Sequence, residues 1–438
     1  MVYHPRDPFL GSRLNRRQFL RRSMGAAVAL PSLSAILAAC GRREETPPAG
    51  GTGGPSEETG GTPGVAIGSP ANPVEQPLFD DNPAIASGLE PEAGPLRIYN
   101  WADYLWPRVY KRFGERYGVE VELTTFYNME EAFRKLQTGA LEVDVFFPTS
   151  ENIGKIVAGK LLQPLNHDYL PNLQANVWPS LASPFYDLGS RYTVPYTVYQ
   201  TGIGWRTDMV DSADVETSNP WDVFWNTRYQ GITGLYDDFE ETIAAAMARN
   251  GVEDPFEAGE SEISAAADAL VEAVNTMNLR FTIDGAYAKL PEGRFGLHHA
   301  WSGDMVATPF YFPQGEDPSV ARYAWPPNVP GSTVGGLIGN DCLAIVRGAP
   351  SPVLAHLFLD FMLEEENALD NFGWVGYQPP QTGLDPDRLV ADGWVAGWLS
   401  SAIVRQEDFD NPSAIVPREL PPEVEALWLD AWSRVQAG

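Results

Sequence analysis

Arg97-Ile98-Tyr99-Asn100-Trp101-Ala102-Asp103-Tyr104-Leu105-Trp106 is the stretch that decides how the chain is read. It begins as a short apolar strand and stops at Asn100. Trp101, Asp103 and Tyr104 then fall where a first strand hands over to a helix. In an open α/β sheet, ligands bind beyond the carboxyl ends of the strands. Two aromatic faces and a carboxylate at that point suit an organic cation, since the rings supply quadrupole attraction and the acid supplies charge. The competing reading is that Trp101 and Tyr104 only pack a core.

Outward from this stretch, strands and helices alternate. A helix is expected near 105–117, with Val109, Tyr110, Phe113 and Tyr117 on one face. A strand is expected at 119–125, and a helix capped by Asn128 with Glu131 completing a capping box. A buried strand at 143–147 ends in Pro148-Thr149-Ser150. Further strands are expected at 193–196, 203–205 and 232–236. Asp237-Asp238-Phe239-Glu240-Glu241 opens a helix that stops at Asn250-Gly251. Amphipathic helices are expected around 263–274, from Pro352 onward, and over Val424 to Val435. This order implies parallel sheets with right-handed crossovers.

The 438 residues suggest two lobes plus extra segments, and the formal charge of −28 argues against nucleic acid or anionic membrane surfaces as partners. A cationic solute is the more natural match. Residues 1–39 read as a signal peptide. Arg16 and Arg17 sit in Asn15-Arg16-Arg17-Gln18-Phe19-Leu20-Arg21, which looks like a twin-arginine export signal. Leu37-Ala38-Ala39-Cys40 looks like a lipobox, with Cys40 as the lipidation site. Residues 40–95, rich in Gly and Pro, read as a lipidated Cys followed by a disordered tether, spanning about 40 Å as a flexible coil. Cys342, in an apolar run, is expected to be a buried, inert strand residue.

Taken together, these residues resemble the spermidine/putrescine-binding proteins of bacterial ABC importers, within extracellular solute-binding protein family 1. The resemblance rests on Tyr99 to Tyr104, Asp144 to Thr149, Leu161 to Leu165, Tyr192 to Tyr196, Thr201 to Gly204, Trp301 to Asp304, Gly376-Tyr377 and Ala431 to Val435. It implies an α/β, two-lobed periplasmic-binding-protein fold of the Venus-flytrap type II kind, with hinge strands. By analogy the lobes would be 96–199 plus 305–346 and 200–304 plus 347–438. The implied ligand-binding residues are Trp101, Asp103, Tyr104, Thr149, Glu151, Asp238, Glu241, Trp301, Asp304, Asp341 and Tyr377. Asp238 and Glu241 also fit simple helix capping, and Trp301 and Tyr377 also fit core packing.

The resemblance implies a non-enzymatic, monomeric lipoprotein held at the periplasmic or outer face of the cell membrane. Its implied partners are a polyamine and the permease subunits of an ABC transporter, with no cofactor, no metal and no nucleic acid. Ala102 replaces a hydroxyl residue common in the family. Glu151 stands where some relatives carry an aromatic, and Gly339 where others carry a phenyl ring. Extra charge and extra room are therefore expected to favour spermidine over putrescine. The alternatives are the same fold binding another cationic or amine-bearing solute, such as a basic amino acid or an opine, and an exported carboxylate-dependent hydrolase.

Overall fold

The computed structural model describes residues 65–283 and 286–438. Arg16, Arg17 and Cys40, and with them the expected signal peptide and anchor, lie outside the described residues. The framework is a mixed sheet of 11 strands. They are β1 (Leu96–Trp101), β2 (Val121–Phe126), β3 (Val145–Phe146), β4 (Leu162–Gln163), β5 (Thr193–Arg206) and β6 (Thr233–Leu235). β7 (Arg280–Phe281), β8 (Leu297–Trp301), β9 (Ala321–Ala324), β10 (Gly336–Val346) and β11 (Ala414–Ile415) complete it. The order is β2-β1-β3-β10-β5-β8-β6-β7, with β4 and β11 beside β10 and β9 beside β5. β1 is parallel to β2 and β3, and β6 is parallel to β7 and β8. β10 and β5, antiparallel to each other, join these two parallel patches.

The helices named below are α1 (Pro107–Tyr117), α2 (Met129–Gln137), α3 (Ile153–Ala158), α4 (Phe239–Arg249) and α5 (Glu260–Met277). They continue with α6 (Ser302–Ala307), α7 (Pro352–Met362), α8 (Glu365–Val375) and α9 (Pro422–Ala437). α1 buries Val109 and Phe113 and stops at Gly118, whose φ of 69° is a left-handed conformation that glycine adopts without a Cβ penalty. Asn128 caps α2 by accepting from the Glu131 amide at 2.8 Å. The Glu131 carboxylate turns instead to Lys135 at 2.7 Å, so the expected capping box is half formed.

Among the described residues, two hydrophobic clusters lie on the sheet. One gathers Tyr99, Phe126, Phe146, Ile156, Leu162 and Tyr192. The other gathers Ile203, Trp205, Leu235, Ile243, Leu270, Leu297 and Trp428. β10 gives Cys342 and Ala344 to the first and Leu337 to the second. Ile203 and Trp205 at the far end of β5 belong to the second core, while Tyr192 just before β5 belongs to the first. β10 thus serves both cores, and β5 runs antiparallel beside it. α7 sets Phe358 and Phe361 edge-on against Phe113 of α1, at centroid distances of 5.2 and 5.4 Å.

β5 departs from the two short strands expected at 193–196 and 203–205: it is one strand of 14 buried residues. Pro195, which has no N–H to donate, lies opposite Cys342 where the register with β10 slips by a residue. Gly202 and Gly204 both answer to close neighbours. A Cβ on Gly202 would collide with the Ala324 carbonyl, and one on Gly204 would lie 2.7 Å from the Met305 sulfur. As expected, Cys342 is a free, fully buried thiol, and burial pushes its pKa up.

Residues 65–95 were expected to belong to the disordered tether. They run instead as a strap over the first core. The Val74 amide donates to the Phe185 carbonyl at 2.8 Å, and the Gln76 side chain to the Tyr186 carbonyl at 2.7 Å. Asn82 reaches the Leu162 carbonyl at 2.8 Å. The Glu92 carboxylate accepts from the amides of Val353 and Leu354 at 3.1 and 3.0 Å, capping α7 from a distant segment. Such polar side-chain-to-backbone ties carry no apolar period, so the local sequence does not announce them. Glu92→Ala is expected to cost about 1 kcal/mol of stability, the usual value of a lost cap, read as a lower midpoint in chemical denaturation. An unchanged midpoint would mean that the strap does not hold α7.

Candidate ligand-binding site

On the first side, β1 delivers half-buried Trp101, whose ring packs on Phe126 at 4.6 Å. The turn after it holds Asp103 at φ 56°, a left-handed conformation that Asp tolerates better than most residues. The Tyr287 hydroxyl donates to Asp103 Oδ2 at 3.2 Å, from the short helix Ala286–Lys289. Tyr104 is buried, and its hydroxyl donates to Asp341 Oδ2 at 2.6 Å while lying 2.5 Å from Thr197 Oγ1. The Tyr104 ring meets Tyr377 and Tyr196 edge-on, each at 5.1 Å. Asp341 lies on β10 and forms a backbone bridge with Thr149. Two residues further on, the Glu151 carboxylate accepts from Asn152 Nδ2 at 3.3 Å, and Asn152 also holds Thr149 Oγ1 at 2.9 Å.

On the second side, β8 ends at Trp301 and α6 carries Asp304. The Tyr377 hydroxyl donates to Asp304 Oδ1 at 2.8 Å and that of Tyr236 to Oδ2 at 3.3 Å. Trp301 stacks on Tyr236 with centroids 4.0 Å apart and planes at 22°. The Trp301 indole N–H donates to Glu241 Oε1 at 2.9 Å, and the Thr201 hydroxyl reaches the same oxygen at 3.2 Å. Among the described residues, Glu241 Oε2 is buried with no hydrogen-bond partner. Asp238 caps α4, accepting from the Glu241 amide at 3.0 Å. Asp238 thus caps the helix as the capping reading expects, while Trp301 and Thr201 hold the Glu241 side chain.

These acids sit where ionisation is unfavourable. Burial pushes Glu241 up to about 8, helped by the charge of Asp238 and opposed by the Trp301 and Thr201 donors. Burial pushes Asp341 up to about 7 against the stabilising Tyr104 hydroxyl. Asp304 is raised to about 6 by burial, against donation from Tyr377 and Tyr236. Glu151 is also raised, first by burial and then by the nearby charge of Asp238. No described lysine or arginine forms an ion pair with Glu151, Glu241, Asp304 or Asp341. Desolvated carboxylates without a countercharge favour an incoming cation.

Contacts therefore link Tyr104, Thr149, Asp341, Tyr377, Asp304, Trp301, Glu241 and Asp238 into one constellation, while Trp101 packs on Phe126 and Asp103 takes its bond from Tyr287. Tyr104 ties Asp341 to Tyr377, Tyr377 leads to Asp304, and Tyr236 links Asp304 through Trp301 to Glu241 and Asp238. Thr197, Thr201, Tyr236 and Tyr287 are additions that sequence reasoning missed, because tyrosines and threonines in strands and short helices read as ordinary packing. One expectation is corrected. Gly339 does not leave added room, since a Cβ built there would lie 2.8 Å from the Tyr199 hydroxyl and 3.0 Å from its Cζ. The steric half of the argument for spermidine falls with it.

Among the described residues no group of three or more His, Cys, Asp or Glu side chains could hold a metal ion. Among them, too, no helix is long and apolar enough to cross a membrane. The profile of the bacterial extracellular solute-binding proteins matches residues 108–396. A putrescine/cadaverine-binding protein of Pseudomonas aeruginosa is 26% identical over 302 residues, covering 67% of this chain and 81% of its own. A putrescine/agmatine-binding protein of the same organism is 26% identical over 360 residues, covering 78% and 92%. Among solved structures, a putative spermidine/putrescine ABC transporter protein from Listeria monocytogenes superposes with a TM-score of 0.65. It is 22% identical, and the match covers 78% of this chain and 98% of that one. That likeness fixes the fold as the two-lobed periplasmic-binding-protein type.

Proposed function

Because the chain belongs to the bacterial extracellular solute-binding protein family, we propose that it captures a linear polyamine of the putrescine–spermidine class for an ABC importer. The carrying observation is the set of buried acids with raised proton affinity and no basic partner, walled by aromatic rings. Asp103, Thr149, Glu151, Asp238, Glu241, Asp304 and Asp341 supply oxygen acceptors, and Trp101, Tyr104, Trp301 and Tyr377 supply ring faces. The names of the two Pseudomonas aeruginosa relatives support the same class. Each charge-assisted hydrogen bond is worth roughly 1.5–3 kcal/mol, and a desolvated ammonium–ring contact about 2 kcal/mol. After association costs, this supports micromolar or tighter binding, about −8 kcal/mol.

We assign β1–β4 with α7 and α8 to one lobe, and β6–β9 with α4, α5 and α9 to the other, with β5 and β10 crossing between them. The packing of Phe358 on Phe113 supports the first grouping, and the shared core of Val329, Val334 and Trp428 supports the second. This division differs from the sequence-based one on both sides of β10. Closure follows from the ligand's greater affinity for the closed state. The chain acts without catalysis and as a monomer. A thermal-shift panel of amines, basic amino acids, opines and sugars tests the reading: putrescine and spermidine should give the largest rises. A rise confined to sugars or opines would sink it.

The twin-arginine signal and Leu37-Ala38-Ala39-Cys40 support export and lipid anchoring. Cys40→Ala is expected to move the protein from the membrane fraction to the soluble fraction with amine binding intact. A wild-type protein that fractionates as soluble, with an unmodified mature N-terminus, would rule the anchor out.

A further inference from the structure

The pairing of β5 with β10 sets Tyr199 directly opposite Gly339. The two positions share one volume: a Cβ on residue 339 would fall 2.8 Å from the Tyr199 hydroxyl and 3.0 Å from Cζ. The far end of the Tyr199 ring therefore lies across the backbone of Gly339, and only a glycine there lets it do so. Tyr199 is 8% exposed. Its hydroxyl has no hydrogen-bond partner among the described residues and is not among the polar atoms sealed from the surface. The carboxylates whose charge reaches it are Glu151, Asp341, Glu241 and Asp238, drawn from both sides of the site.

From this geometry we infer that Tyr199 is a ligand-contacting wall of the site, an aromatic face supplied by β5 that fills the volume a side chain at Gly339 of β10 would take. The inference rests on the amine reading above. A cation held among these four acids sits beside the Tyr199 ring, whose face attracts it and whose hydroxyl oxygen can accept an ammonium N–H. The ring also screens the acids from one another's water, so the bound ammonium is desolvated on that side. Gly339 is the enabling residue: any side chain there displaces the ring.

Titration calorimetry with putrescine and with spermidine, alongside thermal melts of the ligand-free proteins, tests the assignment. Tyr199→Ala should weaken amine binding by about 30-fold, equivalent to about 2 kcal/mol. Tyr199→Phe, which keeps the ring, should retain most of the affinity and serves as the folding control. Gly339→Phe alone should weaken binding, and Gly339→Phe combined with Tyr199→Gly should regain most of it, because the ring is then supplied from the other strand. The bound methylene resonances of 13C-labelled putrescine should lose part of their upfield ring shift in Tyr199→Ala. If wild-type protein binds amines and Tyr199→Ala binds them equally well with unchanged methylene shifts, this inference falls while the amine reading stands. A Tyr199→Ala chain too unstable to titrate leaves the decision to the paired swap, and its failure to bind where Tyr199→Phe binds would overturn the assignment. Wild-type protein that binds neither amine would overturn both.

Discussion

Asp304→Asn is expected to weaken putrescine binding by about 1.5–3 kcal/mol, roughly ten- to 150-fold. Asp304 is 7% exposed and takes hydrogen bonds from Tyr377 and Tyr236. An asparagine fits the same space and its carbonyl can still accept from Tyr377, so the local packing is retained. What disappears is the negative charge that pairs with an ammonium in a desolvated site. Ligand-free stability should hold or rise, because a buried carboxylate without a countercharge is itself unfavourable. Calorimetric titration and a melt of the ligand-free variant read the two effects separately. Lost stability with undiminished affinity would make Asp304 a structural residue rather than a ligand contact.

The second large effect is on pH. Glu241, Asp341 and Asp304 are raised to about 8, 7 and 6 when no cation is bound. A bound ammonium needs them ionised, so below these values binding must expel protons. Affinity for putrescine should rise with pH from about 5.5 to 8.5, by about tenfold per pH unit for each group that must ionise. The sign reverses for the empty protein. Carboxyls whose folded pKa exceeds the unfolded value bind protons more tightly in the native state. Their stabilising contribution is complete below the ordinary carboxylate range and is lost as pH rises through 6 to 8. Ligand-free protein should therefore melt lower at pH 8 than at pH 5.5, and putrescine should raise the melting temperature more at pH 8. A larger ligand-induced rise at pH 5.5 would contradict the assigned charges.

Much of the candidate site was legible in the sequence because its residues sit at strand ends. Trp101 ends β1 and Asp103 and Tyr104 follow it, Thr149 and Glu151 follow β3, and Trp301 ends β8 with Asp304 just beyond. At such positions a polar or aromatic residue breaks an apolar run and stands out. Tyr199 and Tyr236 did not stand out, since within or beside a strand an aromatic looks like core. Their roles depend on partners distant in the chain: Gly339 for Tyr199, and Trp301 and Asp304 for Tyr236. The unbroken run of β5 was obscured for a related reason. Two short strands were expected at 193–196 and 203–205, whereas in the fold one strand runs through both, absorbing a register slip at Pro195 and close neighbours at Gly202 and Gly204. The strap over 65–95 was hidden by its composition, because Gly and Pro signal disorder unless tertiary hydrogen bonds pin them.

Calorimetric titration of the mature protein with putrescine at pH 7, repeated in buffers of different ionisation enthalpy, tests most directly whether the buried acids form a cation site. Binding at micromolar concentration or below, with net release of protons to the buffer, is the result that raised values at Glu241 and Asp341 predict. No heat from putrescine or spermidine at millimolar concentration, or tight binding with proton uptake, would contradict it.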